Sequence, residues 1–439
     1  MRRHLNRRTL IKGTAGAAAA AAVSKRSTSF AAPAVIKQTG STIDVTYWGS
    51  YTDNLGEAEQ EVVKRFNESQ QDVRVIYEFQ GNYEETAQKL TAALAAQQIP
   101  DLALLSDVWW FKFYLSKALA PMDGFIDANE YKTSDVVDSL LVEGNREGQQ
   151  FWLPFARSTP LFYYNDDMFQ EAGLTDGPPE TWSEFAEVAP SLVNESEQRS
   201  AFAHPSSGSY IAWLFQGVTW AFGGRYSDPD FTIRIAEPEA VAAGEYYRQS
   251  VADGWASTPD DIEADFASGL TASMMASTGS LAGVKEQVGD SFNFKTAFLL
   301  KEKELGVCTG GAGLAIMAGA PPEKQEAAFK YIAFATSPEI TTFWSQATGY
   351  MPVRKSAVES PEMQAFFEEN PNFKTAVEQL PITQPQDAAR VFIPNGDQII
   401  GRGLEEITIN LTEAQEALEE VAAVLEEEAQ PIIEQVEGL

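Results

Sequence analysis

Ile43-Asp44-Val45-Thr46-Tyr47-Trp48, Val73-Arg74-Val75-Ile76-Tyr77-Glu78-Phe79 and Asp101-Leu102-Ala103-Leu104-Leu105 are three segments of strand length. The first alternates apolar and polar residues, as a half-buried strand does. Between the first two, Val62, Val63 and Phe66 fall at helical spacing within Glu57 to Asn67. Between the second and third, the stretch from about Tyr83 to Gln98 reads as a helix that stops before Pro100. Strand, helix, strand, helix, strand implies a parallel α/β sheet, because parallel neighbours need a crossover. Ligands on such sheets sit beyond the carboxyl ends of the strands. That rule points to Trp48-Gly49-Ser50, Gly81-Asn82-Tyr83 and Ser106-Asp107-Val108-Trp109-Trp110.

Upstream of this unit the chain reads as an address. Arg7-Arg8-Thr9-Leu10-Ile11-Lys12 is a twin-arginine signature, followed by a weakly apolar run from Gly13 to Val23. The run is too short and too rich in Ala and Gly to span a bilayer. Residues 1–32 are therefore expected to be an export signal and residues 33–41 a tether. No Cys closes the signal, so no lipid anchor is expected, and no later stretch reaches membrane-spanning length. The expectation is an exported, extracellular protein associated with the cell surface.

Charge narrows the partners. The 439 residues carry 32 Lys+Arg and 63 Asp+Glu. Seven of the basic residues and none of the acids precede residue 33, leaving 25 against 63, a net −38 after the signal. So negative a surface repels nucleic acid and acidic membranes. The acids are scattered, without calcium-loop spacing. They suit a halophilic surface in strong salt, where the Debye length shrinks to about 3 Å and self-repulsion is screened. Disorder does not fit, since 44% hydrophobic and 11% aromatic content can build a large core. Asn67, Asn194 and Asn410 lie in Asn-x-Ser/Thr sequons open to glycosylation after export.

Enzymatic chemistry is sparse. Of two histidines, His4 falls in the signal, and His204 lies in Ala203-His204-Pro205 with no nucleophile elbow anywhere. It reads as a structural histidine. Cys308 is the only cysteine, which excludes an internal disulfide and multi-cysteine metal sites; it reads as an apolar filler in a buried strand. No phosphate-cradling P-loop occurs. No catalytic residue, metal site or cofactor is implied. Paired glycosidase carboxylates carry no information among so many acids, so a glycoside-active enzyme on a bilobal scaffold remains the alternative.

Some 400 residues after the signal are too many for one core, so two lobes are expected. Phe151-Trp152-Leu153-Pro154-Phe155 leads through Arg157-Ser158-Thr159-Pro160 to a new strand at Leu161. Thr181 or Ser183 caps a helix that opens near Trp182. Leu305 to Ala318 is Gly-rich and apolar, and Lys324 to Thr336 reads as a helix. From Leu404 to Leu439 two acidic amphipathic helices are expected, packing through Leu411, Ala414, Ala417, Leu418, Val421 and Leu425.

Four segments carry a family likeness: Tyr163-Tyr164-Asn165-Asp166-Asp167-Met168-Phe169, Gly279-Ser280-Leu281, Gly310-Gly311-Ala312-Gly313 and Thr348-Gly349-Tyr350-Met351-Pro352. In this order the chain resembles the extracellular solute-binding proteins that deliver sugars and polyols to ABC importers, and most of all their glycerol-3-phosphate-binding branch. The resemblance implies a two-lobe periplasmic-binding-protein-like α/β fold, each lobe a mainly parallel sheet flanked by helices, with three chain crossings at a hinge. Residues 42–157 and 312–348 would form lobe one; residues 158–311 and 349–439, with the C-terminal helices, lobe two. It implies a monomer that hands a small solute to two permease subunits driven by a cytoplasmic ATPase.

The likeness also implies a site. Tyr83, Asp107, Ser158, Ser277, Gly311 and Tyr350 match cleft positions of the family, and Tyr210 and Trp213 occupy the region where it stacks aromatics on ligand. Aromatic faces with convergent polar groups suit a polyol. Each has a plainer reading: hinge architecture for Ser158 and Tyr350, core packing for Tyr210 and Trp213. Trp109 and Trp110 read as core; Trp48 could be either. The branch places a phosphate-gripping arginine where ungapped alignment puts Asp397. A carboxylate there suits neutral hydroxyls and repels phosphate. Arg390 and Arg402 flank it and would contact phosphate only with a shifted loop. The implied solute is thus a sugar or a glycerol-3-phosphate-like polyol.

Overall fold

In the computed structural model, which describes residues 42–206 and 208–437, the alternating segment forms β1 (Ile43–Gly49). β2 (Val73–Phe79) and β3 (Leu102–Ser106) flank it in parallel. Val45 and Tyr47 point into the core. The expected signal and tether, residues 1–32 and 33–41, lie outside the described residues. Helix α1 (Asp53–Ser69) starts four residues before its apolar periodicity, and α2 (Tyr83–Ala96) is set by a capping box between Asn82 and Glu85.

The remaining strands divide between two sheets. They are β4 (Leu153–Ser158), β5 (Pro160–Asn165), β6 (Phe202–Ala203), β7 (Ala256–Ser257), β8 (Ser273–Ser277), β9 (Phe294–Ala297) and β10 (Gly310–Ile316). The first sheet runs β2-β1-β3-β10-β4 and the second β9-β5-β8-β6-β7. The two-lobed α/β architecture is as expected, but the sheets are not mainly parallel. β10 is antiparallel to both its neighbours, and β5 is antiparallel to β8 and β9. The parallel pairs β1/β2, β1/β3, β8/β6 and β6/β7 are the ones linked through helices. β10 arrives from the other sheet and escapes that constraint.

Six more long helices are α3 (Gly208–Ala221), α4 (Pro238–Ala252), α5 (Pro322–Ala335), α6 (Pro338–Thr348), α7 (Gly396–Thr408) and α8 (Ala414–Glu437). α3 is buried all round from Ile211 onward and is the central helix of its lobe. Gly401 of α7 lies so close to it that a Cβ would sit 2.1 Å from the Gly208 carbonyl. Ala414, Ala417, Leu418, Val421 and Leu425 form the expected stripe on α8. Leu411 does not join them: it lies in the α7–α8 turn at φ 56° and is 39% exposed. Thr181, not Ser183, caps the helix Trp182–Val188, in a box with Glu184. Ser183 instead bonds Glu302.

The chain passes between the sheets at Thr159 and at Thr309, and a third time it leaves the core of the first sheet at Tyr350 for that of the second at Met351. These passages are stitched together. Thr159 Oγ1 donates to Cys308 O (3.1 Å), Met351 N to Arg157 O (2.8 Å) and Gln379 Nε2 to Pro160 O (2.8 Å). Cys308 is buried as expected, in a single bridge to Gln384 just ahead of β10.

Candidate functional site

Where the carboxyl end of β3 faces the second sheet lies a cavity of about 490 Å³. Tyr83, Asp107, Ser158, Tyr210, Trp213, Ser277, Gly311, Tyr350, Asp397 and Arg390 all line it. Residues far apart in sequence thus converge on one cleft between the lobes.

Asp107 follows β3 directly, and its N–H donates to Gly311 O at 3.0 Å. Gly311 has φ 99°, and a Cβ there would sit 2.1 Å from Ala156 O, so this close approach demands glycine. Burial pushes the Asp107 carboxyl above its usual range, while Arg390 and Arg157 pull it back. Its Oδ2 accepts from Gln386 Nε2 (2.5 Å), and Gln386 Oε1 accepts from Arg390. Arg390, in the short helix Ala388–Val391, reaches the cleft without a shifted loop, and its buried Nε has no partner. Arg402 does not reach it; it lines a separate surface groove with Glu405 and Glu406. Asp397 sits in the first turn of α7 and accepts from Ser209 Oγ at 2.6 Å.

Aromatic rings form two walls. Tyr210 and Trp213 stack with centroids 5.9 Å apart, and Trp213 Nε1 donates to Thr309 O at 2.9 Å. A Cβ on Gly310 would meet the Trp213 ring at 2.4 Å, so the ring rests on bare backbone. Trp213 is both core and cleft wall, which merges its two sequence readings. Tyr210 Oη accepts from Ser277 N (2.8 Å) and donates to Glu263 Oε1 (3.4 Å), which also takes Ser280 Oγ (2.9 Å). Burial raises the Glu263 carboxyl. On the other wall the hydroxyls of Tyr51 and Tyr83 meet at 2.5 Å, and Tyr350 stacks on Trp344 at 5.8 Å.

Some residues fall elsewhere than expected. Trp110 is core, stacked on Trp152 at 6.0 Å, but Trp109, also expected in the core, lines the cleft. Trp48 stays outside, donating to Glu78 at 2.9 Å. Glu263, Ser209 and Gln386 carried no motif in the sequence. His204 is buried in the second lobe, bonded to Ser250 Oγ at 2.8 Å, and burial drives its pKa down to about 3.

Residues 61–375 match the bacterial extracellular solute-binding protein family. The chain belongs to that family. UgpB from Mycobacterium tuberculosis, solved in complex with glycerophosphocholine, is 41% identical and superposes with a TM-score of 0.85 over 90% of this chain and 100% of its own. The sn-glycerol-3-phosphate-binding periplasmic protein UgpB of Escherichia coli K12 is 28% identical over 355 residues, 76% of this chain and 80% of its own. A cyclic α-maltosyl-1,6-maltose binding protein from Arthrobacter globiformis shares the fold at 22% identity, with a TM-score of 0.76 over 89% of this chain and 100% of its own. Members of this extracellular family bind small solutes and work with ABC permease subunits. Among the described residues no helix is long and apolar enough to cross a membrane.

Proposed function

We propose that this chain is the extracellular substrate-binding component of an ABC importer for carbohydrate- or polyol-type solutes, and that its own solute is a glycerophosphodiester with a cationic head. One observation carries the finer reading. The cleft sets a single guanidinium, Arg390, among four carboxylates: Glu84, Asp107, Glu263 and Asp397. A phosphomonoester dianion meets net repulsion there, even with burial holding Asp107 and Glu263 toward neutrality. A zwitterionic phosphodiester fits better. Its phosphate pairs with Arg390, its cation lies against the aromatic faces and the carboxylates, and Asp107 accepts from the glycerol hydroxyls. The similarity to a protein solved with glycerophosphocholine supports this reading.

A neutral sugar is the second reading, favoured by the Tyr210–Trp213 stack, whose flat face suits a pyranose ring. In either case both lobes contribute contacts, so the solute favours the closed form and binding shifts the open–closed equilibrium. The chain acts as a monomer, exported by the twin-arginine route into strong salt, and performs no chemistry on its solute. His204, remote from the cleft, fits that view.

The test is calorimetry in molar salt with glycerophosphocholine, glycerol 3-phosphate and maltose. Micromolar binding of glycerophosphocholine, about −8 kcal/mol, with the other two much weaker, is expected. Maltose binding as tightly overturns the phosphodiester reading. New reducing ends on incubation with oligosaccharide would establish an enzyme instead.

A further inference from the structure

We infer that Gln386 is a spacer that sets the selectivity of the cleft by keeping Asp107 and Arg390 from pairing with each other. The inference rests on the solute reading above. Asp107 comes from the carboxyl end of β3 in one lobe, and Arg390 from the short helix Ala388–Val391 that packs with the other. Both side chains are buried and both line the cleft. Opposite charges at such burial attract strongly, and a carboxylate and a guanidinium readily form a two-pronged pair. Such a pair would consume the hydroxyl acceptor and the anion donor that a solute needs.

Gln386 intervenes with matched polarity. Its Nε2 donates to Asp107 Oδ2 at 2.5 Å, and its Oε1 accepts from Arg390 Nη1. The neighbours force this orientation, because a flipped amide would aim N–H at a guanidinium and C=O at a carboxylate. Only a side chain that donates at one end and accepts at the other can stand here. The arrangement occupies one carboxylate oxygen and one N–H, and leaves the buried Nε of Arg390 without a protein partner. The amide itself does not line the cleft; it stands behind Asp107 and Arg390, which do. Behind it lies a second cavity of about 610 Å³, which Asp107 and Gln386 border along with Glu143 and Arg146.

Three variants test the spacer against a merely structural role: Gln386→Met, which keeps volume and loses both hydrogen bonds, Gln386→Ala and Gln386→Glu. Affinities for glycerophosphocholine, glycerol 3-phosphate and maltose are measured beside wild type, with melting temperatures as a check on folding. Gln386→Met is expected to lose roughly ten-fold or more in glycerophosphocholine affinity and to narrow its preference over maltose. Gln386→Ala is expected to do the same.

Gln386→Glu gives a signature that no packing role would give. At pH 8 the introduced carboxylate repels Asp107 and captures Arg390. Once protonated, it donates to Asp107 and accepts from Arg390, as the amide does. Asp107 is also felt by Arg157, Asp397 and Glu143, and Asp387 adjoins residue 386; those acids hold the proton on the new carboxyl more tightly. Affinity relative to wild type at the same pH should therefore recover as pH falls from 8 to 5. Unchanged solute ratios in Gln386→Met, whatever solute the wild type prefers, or a pH-independent defect in Gln386→Glu, overturn the inference. Wild-type preference for maltose overturns the solute reading alone.

Discussion

Ser209 Oγ donates to Asp397 Oδ2 at 2.6 Å, fixing a carboxylate in the wall of the cleft. The carboxylate is held, not free to swing away from an incoming anion. Asp397→Asn keeps an acceptor for Ser209 and removes the charge. It should tighten glycerol 3-phosphate about three- to ten-fold and weaken a cation-bearing phosphodiester by a similar factor. Calorimetry at two salt concentrations checks this, and the effect should be smaller at the higher one.

Gly311 ties the cleft to the sheet. Its carbonyl receives the Asp107 N–H at 3.0 Å, and its φ of 99° disfavours any side chain. Gly311→Ala must also relieve a 2.1 Å contact with Ala156 O between β10 and β4. The expected outcome is a loss of about 1–3 kcal/mol in stability together with weaker solute binding, since Asp107 moves with the strand. Denaturant unfolding and calorimetry read the two effects separately.

The first lobe was legible because β1 alternates visibly and its helices carry period and caps. The direction of β10 was not: nothing in Gly310–Ile316 records that its neighbours in space are β3 and β4. Strands of two residues, such as β6 and β7, are too short to show any period. The cleft residues were found through motif likeness in the crossing segments, as with Ser158, Gly311 and Tyr350. Chemistry alone would have missed them. Glu263 is one acid among 63, and Gln386 gains its role from Asp107, 279 residues away. Trp109 and Trp110 are adjacent and alike in composition. They part only because the helix Trp110–Leu115 begins between them, turning one ring to the core and leaving the other at the cleft.

Glu59 is wholly buried in α1, where it accepts from Tyr77 Oη at 2.7 Å and from Tyr47 Oη. Burial raises its pKa from 4.5 to about 7 despite those bonds. A carboxyl raised by folding binds its proton more tightly in the native state. Its contribution to stability is complete below the unfolded pKa and is lost as pH climbs through about 7. The loss amounts to about 3 kcal/mol. Unfolding free energy should therefore fall between pH 5 and pH 8, and Glu59→Gln should flatten that slope, as measured by denaturant titration in constant salt.

Arg157 is wholly buried on β4, with Nη2 donating to Glu143 Oε2 at 2.5 Å and its guanidinium 4.9 Å from the Trp152 ring. Its Nε and Nη1 and the Glu143 Oε1 have no partner, so the pair is not saturated. Desolvation offsets much of the attraction in such a pair, yet removing one member strands the other. Burial already raises the Glu143 carboxyl, and Arg157 restrains it. Arg157→Met should therefore cost about 3–5 kcal/mol near pH 8 and recover partly as pH falls, because the stranded carboxyl can then take a proton. Arg157→Met with Glu143→Gln removes both charges and should regain most of the loss. Arg157 O also holds Met351 N at 2.8 Å across a passage between the lobes. If the single variant matched the double one at every pH, the loss would lie in that backbone passage and not in the buried charge.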